Sequence, residues 1–498
     1  MDILNGLMIG LQVAAAPTNL LYCLLGVTLG TAIGVLPGVG PQVSISLLLP
    51  LTFGMDIMLA GIYYGSAYGG STTSILVNLP GETSSAVTCI DGYQMARQGR
   101  AGPALAIAAI GSFVAGTIGT ALIIVAGPAI ASIALKFRAP EYATLIVFAL
   151  VATAALARGG LVKGIGVAML GILFGTVGTD LTSGRTRFAF DLPQLYEGIS
   201  FVIVAVGFFA LSEIIMSAND PDSRNVFKVS TGSLMPSRRD MRDASPAILR
   251  GTAIGSFFGV LPGAGVSIAA FAAYMLEKTI SRTPDIFGKG AIQGVAAPES
   301  ANNAASQTAF IPTLTLVIPG SPTMALMLGA LMIQGIAPGP RVITDHPNLF
   351  WDLIVSMWIG NLMLLVLNLP LVGLSVRMLR IPYHWLYILI MGFACMGVFS
   401  VNMSGFDLYV AAFFGVLGFL TVKCGCSPAL FILGLVFGPM LEEYFRRALL
   451  ISNGDFSVFV TSPISLCFLL LAVGTVAMMV IPGIRRRSTF IAQNADEA

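Results

Sequence analysis

The stretch that decides the fold is "GTAIGVLPGVGPQVS", Gly30–Ser44, which returns as "GTAIGSFFGVLPGAGVS", Gly251–Ser267. Neither copy suits an uninterrupted helix, because Pro37 and Pro262 each remove a backbone donor and glycines surround them. Both copies nevertheless sit inside strongly apolar sequence. Of the 498 residues, 56% are hydrophobic and 10% charged, and the mean hydropathy is +0.88. A soluble domain carries about 25% charged residues, so this chain cannot cover a globular surface and is built for lipid.

Apolar runs near the roughly 20 residues of a spanning helix recur along the chain. They include Ala104–Ile133, Tyr142–Ala157, Ile199–Ile215, Leu353–Val376, Leu386–Val401 and Ser465–Ile481. The composition predicts an all-α polytopic membrane protein with about ten to thirteen transmembrane helices. Lys and Arg gather in short connectors and at Arg485–Arg487, which places the C-terminal tail on the cytoplasmic side. The N-terminus lacks a basic leader, and the proline ending "AAAP" at Ala14–Pro17 argues against cleavage there. The six cysteines form no metal or disulfide framework, Cys424 and Cys426 being the one close pair.

The repeated phrase heads an ordered set of matches. "LVNLPGETSSA" (Leu76–Ala86) resembles "LVIPGSPTMA" (Leu316–Ala325) with a one-residue gap, and "LGILFG" (Leu170–Gly175) matches "LGLVFG" (Leu433–Gly438). Acidic residues follow the last pair, Asp180 and Glu442. The order predicts duplication: a first membrane repeat over 1–217, a polar linker over 218–244, a second repeat over 245–484 and a tail over 485–498. Simple inversion would put the linker and C-terminus on opposite faces, yet both are basic. Gly34 to Gly175 spans 141 residues and Gly259 to Gly438 spans 179, so the second repeat has room for one extra span of about 20 residues. That extra span would reconcile inversion with the charge pattern.

Broken backbone at membrane depth is tolerated only where protein buries it or it lines a wet cavity. Paired discontinuous helices mark the central site of many carriers. "GVLPGVG" (Gly34–Gly40) and "GVLPGAG" (Gly259–Gly265) would each open a helix with free N–H groups, a seat for an anion. Hinges or points of tight helix packing are the alternatives. Two uncharged polar clusters accompany the breaks. One holds Ser66, Ser71, Thr72, Thr73, Ser74 and Asn78; the other holds Ser300, Asn302, Asn303, Ser306, Gln307 and Thr308. Such groups can ligate Na⁺ or hold carboxylates, or simply join helices. Neither cluster contains Lys or Arg, so a bound anion would rely on helix dipoles, N–H groups and co-bound cations. Glu82, Asp91, Asp180, Glu299 and Glu442 are the acidic candidates, each either a connector residue or a cation ligand. His346 and His384 lack acidic or cysteine partners, no G-x-x-x-x-G-K-[ST] loop occurs, and no nucleophile–base pair is evident, so the chain reads as no enzyme. A channel or a scaffold whose polar clusters only pack helices is the alternative to a carrier.

"GVLPGVGP", "YGGSTTSILVNLPGE", "DGYQMARQGRAGPAL", "GTVGTDLTSGRTRF", "APESANNAA" and "FGPMLEEYFRRALLISNGDFSVF" together resemble the large membrane subunit of the tripartite tricarboxylate transporters, from about Leu20 to Ile464. The resemblance implies a permease of the bacterial inner membrane, importing di- and tricarboxylates such as citrate by Na⁺ symport with alternating access. It implies two partners, a small four-helix membrane subunit and a periplasmic solute-binding protein, and inverted repeats with an elevator-like movement. Carried onto this sequence, Gly38, Gly40, Ser71, Thr72, Thr73, Gly263, Gly265, Asn302 and Asn303 are the expected substrate-binding positions. Asn78, Pro80, Ser306, Pro319 and Gly320 are the expected Na⁺ positions, backbone carbonyls included, with no other cofactor.

Overall fold

The computed structural model describes residues 3–36, 39–52, 55–134, 136–157, 160–180, 183–217, 235–261, 265–333, 339, 342–378 and 383–480. The chain is helical almost throughout, as the composition requires. In its first part run α1 (Ile3–Ala14), α2 (Pro17–Gly34), α3 (Pro41–Leu48), α4 (Asp56–Val77), α5 (Ala86–Arg97), α6 (Ala101–Ala134), α7 (Ala139–Leu156) and α8 (Leu161–Gly175). Then come α9 (Phe201–Ala205) and α10 (Ser212–Ser217), joined through a π-helical stretch at Val206–Leu211. The later part holds α11 (Arg238–Val260), α12 (Gly265–Ile280), α13 (Gln293–Thr308), α14 (Phe310–Leu316), α15 (Pro322–Ile333), α16 (Val342–Asp345) and α17 (Pro347–Met378). It ends with α18 (Tyr383–Asn402), α19 (Gly405–Lys423), α20 (Pro428–Ile451), α21 (Val458–Thr461) and α22 (Pro463–Val480). Among the described residues the one sheet is a two-residue pairing, Gly178↔Arg187 and Thr179↔Thr186.

Among the described residues five helices are long and apolar enough to cross a bilayer, within α2, α6, α17, α19 and α20, and eight shorter apolar helices accompany them. The protein is therefore a multi-pass membrane protein. Helix α11 starts at Arg238, inside the stretch expected to be linker, because Ser237 caps it. Its hydroxyl accepts from the Asp240 N–H at 3.1 Å, and Asp240 returns a bond to the Ser237 N–H at 3.1 Å. Residues 218–234 and the 485–498 tail lie outside the described residues.

The helices that carry the two polar clusters, α4 and α13, occupy the centre. Helix α4 is buried on every face from Ile57 to Leu76, and α13 is buried from Gly294 to Thr308. Shielded by protein on all sides, they need no apolar stripe toward lipid. Glycine lets the neighbouring helices approach them. A Cβ on Gly26, Gly30 or Gly34 of α2 would lie 2.3, 2.4 or 2.2 Å from the carbonyl oxygens of Met58, Ile62 and Ser66 of α4. On α11, a Cβ at Gly251, Gly255 or Gly259 would lie 2.3, 2.2 or 2.5 Å from the carbonyl oxygens of Ala297, Ala301 and Ala305 of α13. Both pairs thus run parallel and end at the broken phrase. Tight packing, one of the alternatives for the breaks, is what their leading glycines do.

The directions of these pairs are opposed. Tyr64 of α4 meets Gln307 of α13, and Ser71 meets Glu299, so the two central helices run antiparallel. The FG-ending spans behave differently. Gly171 and Gly175 of α8 face the carbonyls of Phe431 and Leu435 of α20, while Gly434 faces that of Ala168, and these two helices run parallel.

Candidate functional site

Each break ends one helix and opens the next. After α2, Gly40 stands in extended conformation as the cap of α3, with Pro41 in its first turn, where a missing N–H costs nothing. After α11, Gly265 takes a left-handed φ of +65° and opens α12. Gly38 and Gly263 lie outside the described residues.

A second pair of breaks ends the central helices. Asn78 (φ 58°) caps α4 and Val317 (φ 62°) caps α14, both left-handed, each followed two residues later by Pro-Gly. The returning strand folds back on the first break. A Cβ on Gly81 would lie 2.4 Å from the Cα of Gly70 and 3.5 Å from the Gly34 carbonyl oxygen. On Gly320 it would lie 3.8 Å from the Cα of Ala309 and 3.0 Å from the Gly259 carbonyl oxygen. Gly81 therefore matches Gly320 and Asn78 matches Val317. The sequence gap expected between these motifs is not needed: "NLPG" superposes on "VIPG" residue for residue.

The tips meet across the molecule. A Cβ on Gly40 would lie 2.8 Å from the Gly81 carbonyl oxygen, so the first break touches the second. The Thr83 and Ser267 hydroxyl oxygens are 2.6 Å apart, joining the tip after α4 to the start of α12. The half-buried Glu82 accepts from the Ser84 hydroxyl at 2.5 Å and from Asn302 Nδ2 at 3.3 Å. Deeper in, Glu299 is 1% exposed and accepts from the Ser71 hydroxyl at 2.6 Å and from the Thr88 hydroxyl. Hydroxyls and one amide make these contacts, with no lysine or arginine among them. Tyr64 donates to Gln307 Oε1 at 3.1 Å and Tyr68 to Asn361 Oδ1 at 3.2 Å. These tyrosines, one turn apart, are functional-site neighbours that the sequence reading did not single out.

The expected site residues divide accordingly. Gly40, Gly265, Ser71 and Asn302 lie on or beside the joined tips. Thr73 donates to the Val35 carbonyl at 2.9 Å, supporting the end of α2, and Thr72 bonds back to the Tyr68 carbonyl at 3.3 Å. The Asn303 amide donates to Ser112 at 2.7 Å and fastens α13 to α6. Ser306, Pro319 and Gly320 are buried, whereas Asn78 and Pro80 are exposed.

The remaining acidic candidates have structural partners. Asp91 Oδ1 accepts from the backbone N–H groups of Gly288, Gly290 and Ala291 at 2.9, 2.8 and 2.8 Å, and Oδ2 accepts from the Tyr274 hydroxyl at 2.9 Å. Asp180 pairs with Arg446 at 2.9 Å and Glu442 with Arg187 at 2.8 Å, and Arg446 also reaches Glu442 at 2.6 Å. The hydrogen bonds from Arg187 to the Glu442 carboxylate, with the charge of Glu442 and Asp180 beside it, raise the Arg187 pKa. This network ties the 178–187 pairing to α20. Among the described residues no group of three or more His, Cys, Asp or Glu could hold a metal ion.

The profile described as "Tripartite tricarboxylate transporter TctA family" matches residues 20–433. The chain is 52% identical over 492 residues to an uncharacterized 52.8 kDa protein in the TAR-I ttuC' 3' region of Agrobacterium vitis, covering 98% of each. A second uncharacterized protein of that organism, in its TAR-II ttuC' 3' region, is 54% identical over 233 residues, 47% of this chain and 96% of its own. No solved structure matches.

Proposed function

The chain belongs to the TctA family of tripartite tricarboxylate transporters, and from that premise we propose that it is the permease of a cation-coupled carrier of small carboxylates. The family itself implies a transporter that works with other subunits. In the reading proposed here these are a small four-helix membrane subunit and a periplasmic solute-binding protein, and the membrane is the bacterial inner membrane. The cargo is a di- or tricarboxylate of the citrate class, the coupling ion is Na⁺, and access alternates.

One observation carries the reading: four helix breaks, two from each part of the chain, converge on a polar lining of hydroxyls, amides and the carboxylates of Glu82 and Glu299, without lysine or arginine. Gly40 and Gly265 open helices there, and their free N–H groups offer an anion a seat without arginine. The buried helices α4 and α13 beside the tips lower the local dielectric, so a cation beside the anion offsets an electrostatic cost. The matched pairs α2–α4 and α11–α13 are the cores of two inverted repeats on this reading. Their opposite directions support it. An odd number of additional spans before α20 would turn that helix over, in keeping with the parallel run of α8 and α20.

Proteoliposomes carrying the permease with its small subunit, supplied with the binding protein, test the function. Labelled dicarboxylates and tricarboxylates are expected to accumulate above the outside concentration when an inward Na⁺ gradient is imposed. Flux that neither concentrates cargo nor responds to Na⁺ would remove the carrier reading and leave a channel or scaffold.

A further inference from the structure

We infer that Glu82, one of the acidic candidates, and Asn302 form the seat of the coupling cation, at the joint between the two parts of the chain rather than at Asn78, Pro80, Ser306, Pro319 and Gly320. The inference rests on the carrier reading and gives it a place. Asn302 is 1% exposed, its Nδ2 donates to Glu82 Oε1, and its Oδ1 is buried with no donor. A buried acceptor left without a donor costs roughly 1–3 kcal/mol. Here that acceptor shares an amide with the group holding a carboxylate that has no basic partner among the described residues. Glu82 also takes the Ser84 hydroxyl, and the next residue, Thr83, meets Ser267. A carboxylate, an amide oxygen and neighbouring hydroxyls are hard oxygen donors of the kind that small cations prefer.

The charge on Glu82 has a consequence for cargo. A carboxylate beside an anion seat repels a carboxylate substrate unless a cation lies between them. Cation binding therefore precedes cargo, and the order follows from one side chain. The matched position in the second part differs: Gly81 corresponds to Gly320, so Glu82 corresponds to Ser321. Asn302 corresponds to Tyr63 by the same register. The pseudo-equivalent place thus offers two hydroxyls and no carboxylate, and the fold supplies one charged seat rather than two.

Na⁺ alone, without cargo, is the probe. Added to the purified full-length permease, NaCl is expected to raise its thermal stability saturably, with choline chloride inert at the same ionic strength. Glu82→Gln and Asn302→Ser are each expected to raise half-saturating Na⁺ at least tenfold, and Glu82→Asp to restore part of it. The half-exposed Glu82 tolerates these changes, so the test survives a failure of the buried Asn302 variant to fold. Wild-type Na⁺ half-saturation in both Glu82→Gln and Asn302→Ser overturns the seat while leaving sodium-driven uptake by the wild type, and with it the carrier reading, intact. Wild-type protein that ignores Na⁺ and accumulates cargo on a pH gradient alone overturns the seat and the sodium coupling together.

Discussion

Removing the Asp91 carboxylate tests whether a buried acid is a clip or a ligand. Its four hydrogen bonds join α5 to the 288–291 turn and to Tyr274 of α12, linking segments nearly 200 residues apart in sequence. Hydrogen bonds to a charged group contribute about 1.5–3 kcal/mol each, and each buried donor left unpaired costs about 1–3 kcal/mol. Asp91→Ala strands three N–H groups, for which simple addition gives roughly 3–9 kcal/mol. Water entering the vacated volume recovers part of this, leaving an expected loss of about 3–5 kcal/mol. Asp91→Asn keeps an oxygen for the three N–H groups, and Tyr274 can turn its hydroxyl to accept from the new amide. The lost charge assistance then costs about 2 kcal/mol. Thermal unfolding of the detergent-solubilised protein should rank wild type above Asp91→Asn, and Asp91→Ala last. The folded Asp91→Asn variant should transport with unchanged half-saturating Na⁺. A variant as stable as wild type yet dead in transport would refute the clip and make Asp91 a ligand.

The packing of α8 on α20 gives a sharper steric test. Gly434→Ala puts a Cβ 2.0 Å from the Ala168 carbonyl oxygen and should cost about 1–3 kcal/mol. Gly166→Ala, on the same helix pair but with nothing within 4 Å, should be neutral or stabilising by up to about 1 kcal/mol in the same melt. Equal melting of the two variants would contradict the interface. For the ion network, Glu442→Ala removes the bidentate partner of Arg187 and one partner of Arg446. These arginines are partly exposed, so a loss of only about 1 kcal/mol is expected. Trypsin should then cut faster at Arg185 or Arg187, and unchanged cleavage would show that the network does not hold the 178–187 pairing.

The breaks were legible because proline and glycine act on their own backbone, and local chemistry can be read from a single residue. The membrane class was legible for the same reason, since composition needs no partner. What stayed hidden depends on contacts across the chain. Asp91 and Glu299 look alike in sequence, yet one is bound by three backbone N–H groups and the other by two hydroxyls. Thr72 and Thr73 are adjacent and chemically identical. Both bond back to their own helix, but only Thr73 also reaches the end of α2, because successive residues on a helix point about 100° apart. The register of "LVNLPG" against "LVIPG" is likewise not set by its letters: matching the "LV" pairs needs a gap, whereas the left-handed caps and Pro-Gly pairs align without one. Backbone geometry restores the pairing because the glycine, not the valine, must fit against the neighbouring helix end.

That register bears on coupling. Once Gly81 matches Gly320, Glu82 faces a serine at the equivalent place, and near-symmetric tips become electrically unequal. A symmetric uncharged pocket would select cargo by dipoles alone and would bind it with or without a companion ion. One carboxylate breaks that equivalence. On the proposed reading it would make an anionic cargo conditional on a cation, using a residue supplied by one tip and an amide supplied by the central helix of the other part. On that reading, any movement that separates the tip from α13 would dismantle the seat and release the cation.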